Sequence, residues 1–289
     1  MILRKSRLPP GWYPRDPEAI AAFLARRDDP GAGSESPGPV LAAAAPHAGW
    51  YYSGAIAARA CRCLASRPGA VVAVVGGHLP PGIPPLFALE DAVETPLGPL
   101  EIDAPLRDAL FDALGGAPDR SGDNTVEVLL PMVKYFFPQA KLLWLRLPAE
   151  EASFKAGKAL ARTAASLGRE ILVLGSTDLT HYGVTYGFTP RGNGEKALDW
   201  VRNVNDRRFI AAVEAGDPAA VLARAEGERS ACSAGAILGV MGYAAERREG
   251  AAGAGGELIA YGTSADAARG EGEKPPDSFV GYGAFRWTR

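Results

Sequence analysis

Short apolar runs alternate with stretches of helical spacing along most of the chain, and that alternation is the first indication of its architecture. Val40–Ala45, Ala70–Val75, Lys141–Leu147 and Glu170–Leu174 are nearly uninterrupted apolar segments, the pattern of strands buried on both faces. Ala55–Leu64, Pro105–Leu114, Val126–Phe136 and Ala152–Leu167 have helical composition, and Pro131 is predicted to kink the third of these or break it in two. Towards the N-terminus, Leu8–Pro14 reads as an extended segment, and Asp16 as the cap of a helix over Pro17–Arg27. Glu94–Asp103 reads as two short extended pieces around a turn. The C-terminal part predicts helices over Glu195–Ala215, Pro218–Ala225 and Ala234–Arg248, then strands over Glu257–Tyr261 and Phe279–Trp287. Residues 30–39 read as a Gly- and Pro-rich linker and 249–256 as a flexible loop. Buried strands separated by helices predict an α/β fold: a single domain over 1–289 with a central mixed, mostly parallel sheet and helices on both faces.

Composition removes several classes of function. The 31 Lys+Arg against 33 Asp+Glu give a net charge of −2, which offers no electrostatic footprint for nucleic acid or an anionic membrane. No window reaches roughly eighteen uninterrupted apolar residues, so no membrane span is expected. The opening Met-Ile-Leu-Arg-Lys-Ser-Arg-Leu-Pro-Pro lacks the apolar core of a secretion signal, and three cysteines cannot build a disulfide framework. The expectation is a cytoplasmic protein.

Only three histidines occur, and each follows an apolar run: Ala-Ala-Ala-Ala-Pro-His47, Val-Val-Gly-Gly-His78 and Gly-Ser-Thr-Asp-Leu-Thr-His181. In an open α/β sheet, ligand sites form beyond the carboxyl ends of the strands. Three strand ends delivering imidazole to one edge is what a metal or acid/base site requires; the alternative is three unrelated loop histidines. Two imidazoles with one anionic ligand suit Fe(II), and imidazole also suits Cu and Zn. The residues leave the anionic ligand open between Asp178, Glu127 and Cys232, the last standing before a helix whose N-terminus lowers a thiol pKa. Cys61 and Cys63 read as packing residues. The aromatic cluster Trp50-Tyr51-Tyr52 reads either as a pocket wall or as a loop packed on the sheet edge. Nucleotide-binding glycine motifs and a Gly-x-Ser-x-Gly elbow are absent from the sequence.

Pro46-His-Ala-Gly-Trp-Tyr-Tyr-Ser-Gly54, Gly77-His78, Glu94-Thr-Pro-Leu-Gly98 and Ser176-Thr-Asp-Leu-Thr-His-Tyr-Gly183 together resemble the MEMO family, called AmmeMemoRadiSam system protein B in prokaryotes. The likeness extends from Gly11-Trp-Tyr-Pro14 to Val280-Gly-Tyr282. It implies a fold like the class III extradiol dioxygenases and a mononuclear iron or copper site. Carried over, the metal ligands fall on His47, His78 and Cys232, with His181 and Asp178 lining the pocket. On that reading His181 is a general acid/base and Asp178 orients a histidine, while Trp50, Tyr51 and Asn124 are candidate substrate-binding residues. Where the family usually has Glu-His-Ser-Ile-Glu, this chain has Asp123-Asn-Thr-Val-Glu127, and the Cys-Gly-x-Gly-Pro pattern is here Cys232-Ser-Ala-Gly-Ala236. The expected function is metal-dependent oxidoreductase chemistry on a small molecule, with a radical-SAM protein as the partner that the family name suggests. Two alternatives stand beside it: a non-catalytic module binding a small ligand or peptide, and a hydrolase with Cys232 as nucleophile and His181 as base.

Overall fold

The computed structural model describes residues 1–25, 39–65, 71–248, 253–268 and 274–289. Four strands, Val40–Ala45, Ile171–Ser176, Val71–Leu79 and Lys141–Pro148, lie side by side in that order, all parallel. Ser278–Thr288 runs antiparallel beside Val40–Ala45 and also pairs, antiparallel, with Glu257–Thr263 and His181–Gly183. On the opposite flank Leu86–Phe87 pairs antiparallel with Lys141–Pro148 and parallel with Ala117–Pro118. The result is a mixed sheet, nine-stranded among the described residues, with the parallel centre that the apolar pattern predicts and with antiparallel margins. A separate three-stranded sheet joins Leu3–Arg4 to Ala92–Val93 and Leu100–Glu101.

The continuous apolar runs follow from burial on both faces. Val71, Ala73 and Val75 point to one side with Leu143, Leu145 and Leu147, under helices Ala152–Ser166 and Ala234–Arg247. Val72 and Val74 point to the other with Leu142, Trp144, Leu172 and Leu174, under helices Pro17–Ala25, Trp50–Leu64 and Leu130–Phe136. Neither face is left to solvent, so every position can be apolar and the period-two signal disappears. Helix Ala234–Arg247 is buried from Ala234 to Ala244 and lies so close to Ala152–Ser166 that a Cβ on Gly157 would collide with the Gly239 carbonyl.

Several sequence expectations change in detail. The helix expected from Ala55 begins at Trp50, and Val126–Phe136 resolves into helices Asn124–Glu127 and Leu130–Phe136, with Pro131 in the opening turn of the second. The strand ending at Val75 continues to Leu79 and so carries His78 within it. Glu195–Ala215 is helical throughout, but Val201–Asn205 is a π turn. The strands Leu3–Arg4, Leu86–Phe87, Ala117–Pro118 and His181–Gly183 are too short to show a period. The linker at 30–39 lies outside the described residues up to 38, as do positions 26–27 of the first predicted helix and 249–252 of the predicted loop.

Candidate metal centre

The carboxyl ends of three adjacent parallel strands deliver the site. His47 stands two residues beyond Val40–Ala45, Asp178 two beyond Ile171–Ser176, and His78 at the penultimate position of Val71–Leu79. Cys232 arrives from the loop before helix Ala234–Arg247, which packs across those same strands. Gly77 makes the approach feasible, because a Cβ there would strike the Ser233 side chain. His47 Nε2 lies 3.2 Å from His78 Nε2 and 3.2 Å from Cys232 Sγ. The two imidazoles and the thiol each offer a ligand atom, all within 4.8 Å of one another.

Each of these three side chains is held from behind. His47 is 1% exposed; its Nδ1 pairs with Ser176 Oγ at 2.8 Å, its backbone N–H donates to Asp178 Oδ1 at 2.7 Å, and its carbonyl accepts from Asn124 Nδ2 at 2.9 Å. A proton on Nδ1 donated to Ser176 leaves the Nε2 lone pair free to ligate a metal. His78 adopts a left-handed backbone, φ 56°, which a β-carbon disfavours, and its Nδ1 meets Asp123 Oδ2 at 2.9 Å. Cys232 is clamped to the Asp178 peptide: its N–H donates to the Asp178 carbonyl at 3.2 Å, and the Asp178 N–H donates to Sγ at 3.3 Å.

These contacts set the charges. Burial pushes the Cys232 thiol up, but the imidazoles of His47 and His78 outweigh it and bring its pKa down to about 6. Burial opposes a charge on His78, yet hydrogen bonds to Asp123 and Cys232 carry its pKa to about 10. Asp123 is partly buried, but the His78 ring, the Thr125 hydroxyl and Arg146 hold its carboxyl well below the ordinary range. Desolvation raises Asp178 and lowers His181, in each case against the pull of the other.

A cavity of about 500 Å³ opens in front of His47 and His78. Trp12, Tyr52, Tyr186 and Tyr282 give it aromatic walls, Asn124, Asp178, His181, Ser264 and Ser278 its polar ones, and no lysine or arginine lines it among the described residues. The Nδ1–H of His181 donates to the Leu179 carbonyl, 3.1 Å away, and its ring stands edge-on to Tyr186. A second cavity of about 380 Å³ meets the first at His181 and Tyr186 and reaches Cys232.

Of the residues predicted to bind substrate, Asn124 lies on the cavity wall, but Trp50 and Tyr51 do not. Because the helix begins at Trp50, that indole turns into the core against Tyr13 and Phe23 and donates to the Val128 carbonyl at 3.0 Å. Tyr51, one position on, is 70% exposed, with its hydroxyl on the Ala267 carbonyl. Tyr52 and Trp12 take the place expected of them. Glu127, a candidate ligand by sequence, lies buried and accepts hydrogen bonds from Ser6, Arg7, Leu8 and Tyr13, tying down the N-terminal segment. Cys232 Sγ meets His47, and no hydrogen bond joins it to His181 among the described residues. Nothing in the sequence pattern links Asp123, Ser176 or Arg146 to these three side chains. The Asp-x-Thr spacing at 123–125 signals a helix cap, but only the fold shows that the other carboxylate oxygen reaches His78.

Comparison with known proteins places these residues in a family context. The family model described as Memo-like protein matches residues 4–286. The MEMO1 family protein PH1626 of Pyrococcus horikoshii is 28% identical over 264 residues, covering 86% of this chain and 87% of its own. MEMO1 family protein MK0963 of Methanopyrus kandleri is 28% identical over 96% of both chains. A crystal structure of the uncharacterized protein JW3007 from Escherichia coli K12 superposes on 79% of this chain and 91% of its own with a TM-score of 0.46 at 14% identity, a likeness too loose to argue from.

Proposed function

This chain belongs to the Memo-like protein family, and from the convergence of His47, His78 and Cys232 we propose that it is a mononuclear non-haem metal protein acting on a small molecule in the adjoining cavity. The family resemblance puts Fe(II) first, with Cu and Zn as alternatives, because imidazole suits all three ions and a thiolate suits Cu and Zn in particular. A redox-active ion held there would supply oxygen-dependent oxidation, in keeping with the dioxygenase-like architecture this proposal includes.

The chain's own residues perform the remaining tasks. Ser176 and Asp123 hold the Nδ1 side of the two ligand rings, which aims each Nε2 at the common point. Asp178 fixes the His47 backbone and both sides of the Cys232 loop contact. His181, tied to the Leu179 carbonyl through Nδ1, has Nε2 for a proton of the bound molecule and serves as general acid/base. Its burial favours the neutral ring, so it starts as the base. The aromatic walls offer apolar contact area, and the absence of a lining lysine or arginine among the described residues favours a neutral molecule over a phosphorylated one.

The observation that carries this reading is the approach of two Nε2 atoms and one Sγ to within 4.8 Å from three separate segments. Anaerobic purification and Fe(II) reconstitution, followed by metal analysis, tests it. One equivalent of metal is expected in the parent, with losses of at least tenfold in affinity for His47→Ala and Cys232→Ser. Protein that stays metal-free after reconstitution contradicts the proposal and favours a ligand- or peptide-binding module. Oxygen uptake with catechol-like compounds, abolished in both variants, supports the catalytic half.

A further inference from the structure

The two histidine ligands are supported differently. His47 is buried, and its Nδ1 faces the neutral hydroxyl of Ser176. His78 is exposed, sits in a left-handed backbone, and has its Nδ1 on a carboxylate. Beyond that bond the ring meets the His47 imidazole edge-on and approaches Cys232, the groups with which it would share a metal, so Asp123 is the partner that holds its outer side.

The carboxylate itself is rigidly placed. Asp123 caps helix Asn124–Glu127, where Oδ1 accepts from the Thr125 N–H at 2.9 Å and from the Thr125 hydroxyl. Oδ2 faces both His78 Nδ1 and Arg146, whose guanidinium is 3.2 Å away. Arg146 in turn donates to the Gly77 carbonyl at 3.0 Å, to Ser121 Oγ at 2.7 Å and to Asp119 Oδ1 at 3.4 Å. Asp119 also accepts from Trp144 Nε1 at 2.9 Å, and Arg4 donates to its carbonyl at 2.6 Å. Arg4, Asp119 and Arg146 are all buried, and a buried ionic network is a poor device for stability because desolvation offsets its attraction. This one runs from the N-terminal segment to a metal-ligand ring and to the peptide just before it.

We propose that Asp123 is a positioning residue: clamped by Thr125 and Arg146, it fixes the His78 ring with Nε2 towards His47 and Cys232, and so sets how tightly the metal is held. The proposal rests on the metal reading above. An Nδ1–H donated to a carboxylate makes the imidazole a stronger donor than one on a hydroxyl, and loss of such a partner typically lowers metal affinity by about 10–100-fold.

The test uses the full chain and its Asp123→Asn and Ser176→Ala variants, titrated with Co(II) and with Zn(II) in competition with a chelator. Asp123→Asn keeps the size of the side chain and is expected to weaken both ions by about 10–100-fold and to shift the Co(II) ligand-field bands. Ser176→Ala is expected to weaken them less. In metal-free protein the downfield His78 Nδ1–H proton resonance is expected to move upfield in Asp123→Asn and to stay in place in Ser176→Ala. Arg146→Lys, which keeps the charge but loosens the clamp, is expected to move both readouts in the same direction by a smaller factor. Affinities within twofold of the parent together with an unmoved resonance overturn the proposal. A parent that binds neither ion overturns the metal reading instead, and the resonance then decides alone whether Asp123 holds the ring.

Discussion

At the scale of single residues, the Cys232 thiol is the most informative group. With its pKa near 6, it is a thiolate at neutral pH in metal-free protein, whereas His78, near 10, still carries a proton. At the proposed site, binding of a metal would displace the His78 proton between about pH 6 and 10 and the Cys232 proton as well below 6. Apparent affinity is expected to rise about tenfold per pH unit in the upper window and more steeply in the lower one, measurable by competition titration. Alkylation of metal-free protein by iodoacetamide is expected to have its midpoint near pH 6 and to move upward in His47→Ala; a midpoint near 9 in the parent contradicts the charge arrangement. Much of this residue-level picture was legible in the sequence, because His47, His78, Asp178 and His181 all follow apolar runs. Spacing alone left Cys232, Asp178 and Glu127 as rivals for the third ligand, since nothing local reveals that Glu127 binds the N-terminal segment. Trp50 and Tyr51 were misplaced for a simple reason: a helix that starts five residues early rotates its side chains to different faces.

At the scale of elements, the π turn at Val201–Asn205 stands out from the regular helix that the composition predicts. It brings Asn205 and Asp206 under the Asp178–His181 loop, where Asn205 Nδ2 donates to Thr180 Oγ1 at 2.8 Å and Asp206 Oδ1 accepts from the Thr180 N–H at 3.0 Å. Tyr261 donates to the other oxygen at 2.7 Å. Burial raises the Asp206 carboxyl from 3.8 to about 6, with the Thr180 and Tyr261 hydrogen bonds opposing the rise. The folded chain therefore holds the proton more tightly than the unfolded one. Stability from this group is full below about pH 4 and is lost as the pH climbs through about 6, a change on the order of 3 kcal/mol. Urea unfolding across pH 4–7 is expected to show that decline in the parent and a flatter profile in Asp206→Asn; equal slopes in the two contradict the assignment. The close pair of helices makes a second prediction. Gly157→Ala is expected to cost about 1–3 kcal/mol in urea unfolding, because its Cβ meets the Gly239 backbone rather than a side chain able to move.

At the scale of the whole molecule, the parallel centre of the sheet is what turns scattered residues into a site. Adjacent parallel strands end at one edge, so the segments after them meet there however far apart they lie in the chain. Apolar runs and helical stretches announced that centre, and with it the edge. The margins were less legible: the two- and three-residue strands there carry no periodicity, and although Glu257–Thr263 and Ser278–Thr288 were visible as strands, their antiparallel pairing comes from long-range contacts. The ionic chain from Arg4 through Asp119 and Arg146 to Asp123 was invisible for the same reason, since its members lie up to 142 positions apart and no local pattern links them. No described helix is long and apolar enough to cross a membrane. The most direct test of the central claim is an anomalous difference map from crystals soaked anaerobically in Fe(II) and measured at the iron absorption edge. A single strong peak within bonding reach of His47 Nε2, His78 Nε2 and Cys232 Sγ is the predicted result, and a map with no peak there, or with its peak on other residues, contradicts it.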